Sequence, residues 1–319
     1  MSTAAITGCS GYIGLRLLDF MERDESISRV IGVDIKPAKG DFRKLRLHCM
    51  DIRDPKLADL FEEEGVELVV HMAFFVDPIH DDAEMHDVDV NGTRNLLSAT
   101  AACGARHLTV TSSTTAFGAS PDNPEWFTED DAPRRHASYT YASDKYDVEQ
   151  LVLRFKEAHP EIKVAVVRPC IVFGPNVSNY ICRYFLRMPF IPGVGKERPQ
   201  MQFVHEDDVA EVFMKVVGRE AEGYFHAVGE GTLGLDEIGR MAGKPVVSIP
   251  PRLLYPSIDL LWNFHFPLIE GSSGALDYMG YPWNASGEKT MEALGLGPRR
   301  SSRDVFRIML ESNGRRPRC

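Results

Sequence analysis

The sequence lacks a cysteine framework, a long apolar run and a leader-like N-terminus. Six cysteines are scattered over 319 residues without a C-x-x-C pair, which argues against a small disulfide-stapled secreted domain. No run reaches the roughly 18 apolar residues that span a bilayer, and the first residues lack the basic and apolar regions of a signal peptide. We therefore expect a reduced, cytoplasmic protein that has no membrane partner.

Basic residues are also in short supply. The chain has 36 lysines and arginines against 46 acidic residues, a net charge of −10, which argues against nucleic acid as a partner. The basic stretch "GPRRSSR" and the tail that ends at Cys319 are expected to be solvated. Hydrophobic residues make up 44% of the chain, enough for a buried core. We expect a globular protein whose partner is a small-molecule substrate.

The first half of the chain alternates two periodicities. Short apolar runs predict strands, and segments with helical spacing lie between them. The predicted strands are "AAITG", "RVIGVD", "LRLHCMD", "ELVVHMA", "HLTVTSS" and "KVAVVRP". Strands that are apolar throughout are buried on both faces, and their alternation with helices implies parallel pairing. The sequence therefore predicts an α/β fold with a Rossmann-type doubly wound parallel sheet.

The second half begins with Pro- and Gly-rich stretches, which we interpret as loops with one short helix. A helix in "FVHEDDVAEVFMKVVG" and a strand in "GYFHAVGEG" follow, and short amphipathic helices complete the chain. We expect a cofactor-binding domain over 1–170 with a returning segment at about 203–231. Residues 171–202 and 232–319 are expected to form a smaller, irregular α+β substrate lobe.

The first predicted strand ends in a glycine-rich turn. Gly8, Gly11 and Gly14 are spaced G-x-x-G-x-x-G, one residue wider at the start than the dinucleotide fingerprint. Such a turn needs glycine dihedrals and lets the backbone approach a pyrophosphate closely. A helix that starts near Tyr12 would direct its unpaired N–H groups at that anion. The turn therefore predicts a dinucleotide site.

A carboxylate follows at the end of the second predicted strand. Asp34 lies 20 residues after Gly14, where its side chain would accept hydrogen bonds from a ribose diol and repel a 2′-phosphate. Lys36 lies close by and weakens that discrimination. The pattern favours NAD over NADP as the cofactor.

The stretch "YASDK" places Tyr141 and Lys145 one helical turn apart on the same face. A free phenol titrates near pH 10, so using its phenolate at neutral pH costs about 4 kcal/mol. A neighbouring ammonium recovers part of that cost. Such a tyrosine could remove the proton from a substrate hydroxyl while a hydride leaves the same carbon for nicotinamide.

These stretches together resemble the extended short-chain dehydrogenases/reductases of the NAD-dependent epimerase/dehydratase family, over nearly the whole chain. The resemblance is carried by "TGCSGYIG", "DI", "HMA", "VNGTRNLL", "SSTTAFG", "YASDK", "RPCIVFGP" and "FVHEDDVA". It implies NAD as the cofactor and a Ser–Tyr–Lys catalytic set. The cofactor-binding residues that it implies are Gly8, Gly11, Tyr12, Ile13, Gly14, Asp34, Ile35, Lys36, Asp51, Ile52, Met72, Ala73, Phe74, Asn91, Tyr141, Lys145 and Cys170.

The hydroxyl-rich run "TSSTT" contributes the third catalytic residue. In the family, a Ser or Thr lies four residues before an aromatic-Gly pair, and counting back from Phe117 gives Ser113. The resemblance implies that Ser113 bonds the reacting oxygen at the carboxyl end of a strand, where α/β sheets bind ligands. Thr114 and Thr115 are expected to be structural, with their hydroxyls bonded to loop backbone.

The neighbours of Ser113 favour one reaction over others. Family members that eliminate water or carbon dioxide carry Asp or Glu just after the catalytic hydroxyl, and here Thr114 and Thr115 occupy those positions. The S-S-x-T pattern resembles the sugar 4-epimerases, in which a secondary alcohol is oxidised and the ketone is reduced from its other face. A sugar or nucleotide-sugar epimerase of the UDP-glucose/galactose 4-epimerase type is therefore the first hypothesis.

Three departures from the family pattern support an alternative. Ile171, Met201 and Val76 stand where nucleotide-sugar enzymes have Asn, Arg and Lys, and apolar side chains are poor phosphate ligands. Arg198 could substitute if its loop bends. The alternative is a net alcohol dehydrogenase or ketone reductase for a less charged substrate, as in steroid- and flavonoid-type reductases. A dinucleotide-sensing protein without catalysis is a third hypothesis, which the presence of all three catalytic residues disfavours.

Two further expectations concern metals and assembly. The segment His80–His86 could suggest a metal site, but its spacing places no ligand pair on one helical face, so a solvated acidic loop is expected. In the family, helices resembling residues 88–103 and 139–157 pair across dimers as a four-helix bundle. The resemblance therefore implies a homodimer.

Overall fold

The computed structural model describes residues 1–314, so the tail that ends at Cys319 lies outside the described residues. Its strands are β1 (Ser2–Thr7), β2 (Ile27–Asp34), β3 (Leu45–Cys49), β4 (Leu68–His71), β5 (His107–Thr111), β6 (Lys163–Pro169), β7 (Ile171–Phe173), β8 (Ile191–Val194), β9 (Gln200–Met201), β10 (Phe203–His205), β11 (Gly223–Ala227), β12 (Leu233–Gly234) and β13 (Val246–Ile249). The α-helices are α1 (Tyr12–Arg23), α2 (Leu57–Glu63), α3 (Asp82–His86), α4 (Gly92–Ala102), α5 (Thr140–Ala158), α6 (Tyr180–Arg187), α7 (Glu206–Arg219), α8 (Leu235–Ala242), α9 (Pro251–Asn263), α10 (Glu288–Leu294) and α11 (Ser302–Asn313).

Seven parallel strands form the central sheet in the order β11-β6-β5-β4-β1-β2-β3. The chain runs outward from β1 to β3 and then crosses back to β4 on the other side of β1. Strand order therefore reverses between β1 and β4, the point where open α/β sheets bind ligands. The predicted doubly wound sheet is confirmed.

Helices cover both faces of this sheet because its strands bury both sets of side chains. In β1, Ala4 and Ile6 pack into a cluster with Leu17 of α1 and Val209 of α7. Ala5 between them points the other way, into the cluster formed with α2, α4 and α5. This alternation explains why the strands are apolar throughout.

The returning segment predicted at 203–231 contains β10, α7 and β11, and β11 pairs with β6 at the edge of the central sheet. Outside that sheet, β7 pairs with β10, β8 with β13 and β9 with β12. The interpretation of the Pro- and Gly-rich stretch after β6 as loops with one short helix was incomplete, because it missed β7, β8 and β9, which span only two to four residues each. Strands that short show no periodicity. The division into two domains stays a prediction.

The second half has an aromatic core of its own. The rings of Phe173, Phe185, Phe203 and Phe306 are buried and pack with centroids 5.2–6.3 Å apart. This core joins β7 and β10 to α6 and α11, beside the carboxyl end of β6. Among residues 1–314, no helix has both the length and the apolarity needed to cross a membrane.

Candidate active site

The glycine turn between β1 and α1 leaves no room for side chains. Gly8 has a φ of 71°, and a Cβ there would lie 2.5 Å from the Met72 carbonyl oxygen. A Cβ at Gly14 would overlap the Gly8 carbonyl. Helix α1 begins at Tyr12 as predicted, its N-cap is Gly11, and no side chain among residues 1–314 caps it. Its first N–H groups are therefore available to an anion, so the turn fits a pyrophosphate.

Asp34 is fixed beside this turn at the end of β2. Its Oδ2 accepts a hydrogen bond from the Ser10 N–H at 2.9 Å, and its Oδ1 accepts one from the Lys36 N–H at 3.0 Å. The Ser10 hydroxyl in turn donates to the Lys36 carbonyl at 2.8 Å. Ile35, between Asp34 and Lys36 in the chain, is exposed. These contacts orient the carboxylate while leaving each oxygen a further lone pair for a ribose hydroxyl.

Two of the expected cofactor-binding residues have other partners. Asp51 forms a bidentate pair with Arg53, with contacts of 3.0 and 2.7 Å, and Arg53 also contacts Asp87 at 2.7 Å. Asn91 is exposed and donates to Asp87 at 2.6 Å. Their assignment to the cofactor stays a prediction.

The other expected cofactor residues follow the carboxyl ends of β1, β3, β4 and β6. The phenol of Tyr12 donates to Glu206 of α7, so this side chain ties the helix start to the returning segment. Ile52 is buried, and Cys170 is buried with a pKa raised to about 12 by burial, which makes a thiolate role unfavourable. The remaining expected cofactor residues have apolar side chains: Ile13, Met72, Ala73 and Phe74.

Ser113 and Tyr141 lie close together. Ser113 follows β5, its hydroxyl donates to the Pro169 carbonyl at 3.4 Å, and it lies near enough to the Tyr141 phenol to lower the pKa of that group. Withdrawal from solvent raises the pKa of Tyr141 above its ordinary value, and Ser113 opposes that rise. Tyr141 is therefore a protonated phenol at neutral pH in this arrangement.

Lys145 lies one turn further along α5 and is buried. Its ammonium donates to the Thr111 carbonyl at 3.1 Å, lies 3.1 Å from the centroid of the Phe74 ring and 5.7 Å from that of Tyr141. Burial lowers the pKa of Lys145 to about 8, and the charges of Asp89, Asp144 and Glu149 oppose that shift. The three predicted catalytic side chains are thus neighbours.

The expectation for Thr114 and Thr115 was wrong. Both hydroxyls are buried, and neither bonds loop backbone or any other described group. The contact that holds the loop runs the other way, because the Thr115 N–H donates to the Ser113 hydroxyl at 3.2 Å. Two hydroxyls without a partner among residues 1–314 therefore lie immediately after Ser113.

A buried ion pair that was not predicted from the sequence lies behind the site. Arg168 of β6 and Glu149 of α5 are each 1% exposed and join through contacts of 2.7 and 2.9 Å. The Ser112 hydroxyl donates to the same carboxylate at 2.5 Å. The arginine lies between the rings of Phe117 and Tyr224, at 4.7 and 4.4 Å. This network locks the end of β5, and hence Ser113, against α5.

The acidic segment before α4 also differs from its expected form. Residues 82–86 form α3, capped by Asp81, rather than a solvated loop. His86 at its end contacts Asp144 of α5 at 2.6 Å, and the next turn buries Asp89 completely. These acidic residues looked like ordinary surface charges in the sequence, and only the tertiary fold brings them behind Lys145.

The three residues that depart from the family pattern offer no polar ligand in the structure. Ile171 and Met201 are buried in the core of the second half, and Val76 is exposed. Arg198 does not bend toward them, because it donates to the Glu197 carbonyl at 2.7 Å and to the Ser248 hydroxyl at 2.5 Å. It therefore does not replace the missing phosphate ligands.

An uncapped helix after a glycine turn, opposite a serine–tyrosine pair, is the arrangement of a Rossmann-type oxidoreductase. Residues 4–226 match the NAD dependent epimerase/dehydratase family. Sterol demethylase protein B of Methylococcus capsulatus is 29% identical over 281 residues, covering 79% of each chain. A 4-epimerase of Escherichia coli O157:H7 that acts on N-acetyl-α-D-glucosaminyl-diphospho-ditrans,octacis-undecaprenol is 24% identical over 280 residues, covering 84% of this chain and 80% of the relative.

Solved structures agree on the fold. MoeE5 in complex with UDP-glucose and NAD superposes with a TM-score of 0.74 at 21% identity, covering 98% of this chain and 99% of the other. The chain belongs to the NAD-dependent epimerase/dehydratase family. Its cofactor is NAD, for which the glycine turn and Asp34 are suited.

Proposed function

We propose that the protein interconverts a secondary alcohol and a ketone with exchangeable NAD, on a substrate that carries little charge. The observation that carries this proposal is the burial of Ile171 and Met201 in an apolar core, where a phosphate-binding enzyme needs polar ligands. The relative named as a sterol demethylase protein supports a lipophilic substrate.

The chain's own residues would move the proton. The glycine turn and Asp34 would hold NAD, which would supply the acceptor for the hydride of the carbinol carbon. Ser113 would orient the substrate oxygen, and Tyr141 would exchange a proton with it. Because burial keeps Tyr141 protonated, the phenol can donate its proton to a ketone oxygen during reduction. In the oxidation direction, the positive charge of Lys145 favours the phenolate.

A sugar epimerase is the second candidate. The S-S-x-T pattern of Ser112–Thr115 favours it, because that pattern resembles the sugar 4-epimerases. The relative named as a 4-epimerase supports the same reaction type. In this reaction NADH would never leave the protein, since the ketone is reduced again before release.

One experiment distinguishes the two candidates. The purified protein is incubated with NAD and either steroidal and alicyclic secondary alcohols or UDP-linked and simple sugars. We expect free NADH, followed at its absorbance band, with the lipophilic alcohols only. Epimer formation from a sugar without NADH release would replace the first proposal by the second. Neither product with any substrate would contradict both.

We also propose a homodimer that forms through α4 and α5. The two helices pack side by side in one chain, and Leu153 of α5 is 40% exposed. A second copy would cover this side chain. Sedimentation should show twice the chain mass, and Leu153→Lys should lower it; a wild-type monomer at all concentrations would contradict the proposal.

A further inference from the structure

Two contacts hold the buried Lys145 ammonium, and neither of them is an ion pair. The Thr111 carbonyl at the end of β5 accepts a hydrogen bond from it at 3.1 Å. The ring of Phe74, which follows β4, lies against the ammonium with its centroid 3.1 Å from Nζ. A lysine ammonium turns on a long, flexible stem unless other groups fix it. The place of this charge, one helical turn from Tyr141, therefore depends on Thr111 and Phe74.

The acidic side chains near Lys145 do not fix its ammonium. Each of the three whose charges act on it is bonded to another group. The pairs are Asp89 with the Phe75 N–H, Asp144 with His86, and Glu149 with Arg168, at 2.9, 2.6 and 2.7 Å. Within residues 1–314, none of the three forms an ion pair with Lys145. They favour a positive charge there without fixing its position.

The Phe74 ring also contacts a histidine that carries no charge. The ring centroids of His71 and Phe74 lie 4.4 Å apart. His71 is completely buried, and its two ring nitrogens lie 2.7 and 2.9 Å from the hydroxyls of Thr7 and Thr93. Burial lowers the pKa of His71 to about 3, and the charge of Lys145 lowers it further. The imidazole is therefore neutral at neutral pH, and it supports the ring without competing for its negative face.

The backbone around Phe74 is fixed as well. The Phe74 N–H donates to the Met72 carbonyl at 3.0 Å, and the Phe75 N–H donates to Asp89 Oδ1 at 2.9 Å. Asp89 is completely buried and belongs to a π-helical turn, Asp87–Asn91, of a kind that often accompanies functional sites. The turned-in carboxylate therefore fixes the segment that carries the ring.

The same segment borders the glycine turn. A Cβ at Gly8 would lie 2.5 Å from the Met72 carbonyl oxygen and 2.7 Å from the Ala73 nitrogen. Phe74 is the next residue in the chain, and it reaches Lys145. One short segment thus contacts both the turn that fits NAD and the lysine of the candidate catalytic set.

The face of an aromatic ring stabilises a cation, because it carries negative partial charge, and the attraction is stronger where water is excluded. Burial lowers the pKa of Lys145, and the charges of Asp89, Asp144 and Glu149 oppose that shift. The other titratable groups that face Lys145 are the neutral His71 and the phenol of Tyr141. The Phe74 ring acts in the same direction as the three acids, and it does so in direct contact.

We propose that Phe74 is a positioning residue of the active site, whose ring face holds the Lys145 ammonium in place and keeps it charged. Lys145 is among the residues expected to bind NAD and to favour the Tyr141 phenolate. The inference therefore applies to either candidate reaction and does not depend on the substrate.

Two substitutions at residue 74 test this role. Phe74→Leu removes the ring face, whereas Phe74→Tyr keeps it. The pKa of Lys145 is measured by nuclear magnetic resonance on the full chain with isotope-labelled lysine, and the signal is assigned by its absence from Lys145→Met. We expect this pKa to be lower by about 1 in Phe74→Leu, because the cation loses its contact, and to stay near the wild-type value in Phe74→Tyr.

Phe75→Leu is the matched control. Phe75 is the next residue in the chain, and within residues 1–314 no cation lies over its ring. We expect the pKa of Lys145 to be unchanged in this variant. An unchanged pKa in Phe74→Leu, or an equal fall in Phe74→Tyr or Phe75→Leu, would overturn the proposal.

A second series keeps the shape of the side chain. Phenylalanine analogues with one, two and three ring fluorines, inserted at residue 74, weaken the negative face of the ring in steps. We expect the pKa of Lys145 to fall in the order of the fluorine number, and NAD affinity near pH 8, measured by fluorescence titration, to fall in the same order. A pKa of Lys145 that does not follow the fluorine number would show that the ring acts by packing alone. Neither measurement needs turnover, so a protein that oxidises no alcohol would contradict the proposed function without affecting this test.

Discussion

The cofactor end and the chemistry end of the candidate site are formed by different kinds of chemical group. The cofactor end consists of backbone: Gly8 and Gly14 exclude side chains, and Asp34 is held by N–H groups. The chemistry end consists of buried ionisable side chains, such as Lys145 and Glu149. A backbone site is disturbed by adding atoms, whereas a buried polar site is disturbed by removing them.

The largest effect on turnover should come from removing the phenol oxygen of Tyr141. Tyr141→Phe should lower turnover about 10²- to 10⁴-fold, because the hydroxyl that exchanges the proton is lost. NAD affinity, measured by fluorescence titration, should change little. Tyr146→Phe on the same helix is the matched control. A loss below about tenfold would show that Tyr141 does not exchange the proton.

Removing the buried acid behind the site should destabilise the whole fold. Glu149→Ala leaves Arg168 charged and unpaired at 1% exposure, which should cost about 3–5 kcal/mol in the free energy of unfolding. Urea unfolding followed by circular dichroism measures the change. If the loss is below about 1 kcal/mol, as for a surface pair, the network does not hold β5 against α5.

Adding one methyl group to the turn should affect binding rather than chemistry. Gly8→Ala puts a Cβ against the Met72 carbonyl and keeps a left-handed backbone, so NAD affinity should fall at least tenfold, about 1.4 kcal/mol. Gly65→Ala is the control, because Gly65 also has a positive φ but open space for a Cβ. Unchanged NAD affinity in Gly8→Ala would contradict a cofactor at the turn.

The smallest effect is expected at the partly exposed pair of Asp51 and Arg53. Asp51→Asn should cost at most about 1 kcal/mol of stability, because solvent screens the pair. The pKa of Asp51 is lowered, chiefly by the hydrogen bond from Arg53, so any contribution is present at neutral pH and is lost as acid protonates the carboxylate. A loss of NAD affinity in this variant would support a cofactor contact for Asp51.

The sequence predicted features that depend on local spacing. The strands β1 to β6 follow from apolar runs. The start of α1 at Tyr12 and the place of Asp34 follow from glycine geometry within the first βαβ unit. Ser113 and Tyr141, 28 residues apart, were brought together only by their resemblance to family motifs.

Features that depend on tertiary contacts could not be predicted in this way. Nothing local distinguishes Arg168 or Glu149 from surface charges, and a π-helical turn that buries Asp89 has no spacing signal. The hydroxyls of Thr114 and Thr115 were assigned to loop backbone because that is their usual role. Their lack of partners is visible only when every neighbouring donor and acceptor is known.

The most direct test follows the hydrogen on the carbinol carbon. Single turnovers are run with NAD and a lipophilic secondary alcohol deuterated at that carbon, once with the wild-type protein and once with Tyr141→Phe. The deuterium content of the recovered cofactor is measured by mass spectrometry. We predict deuterium in the NADH from the wild-type protein and almost none from the variant. Equal transfer by both proteins, or deuterium that never leaves the alcohol, would contradict the account.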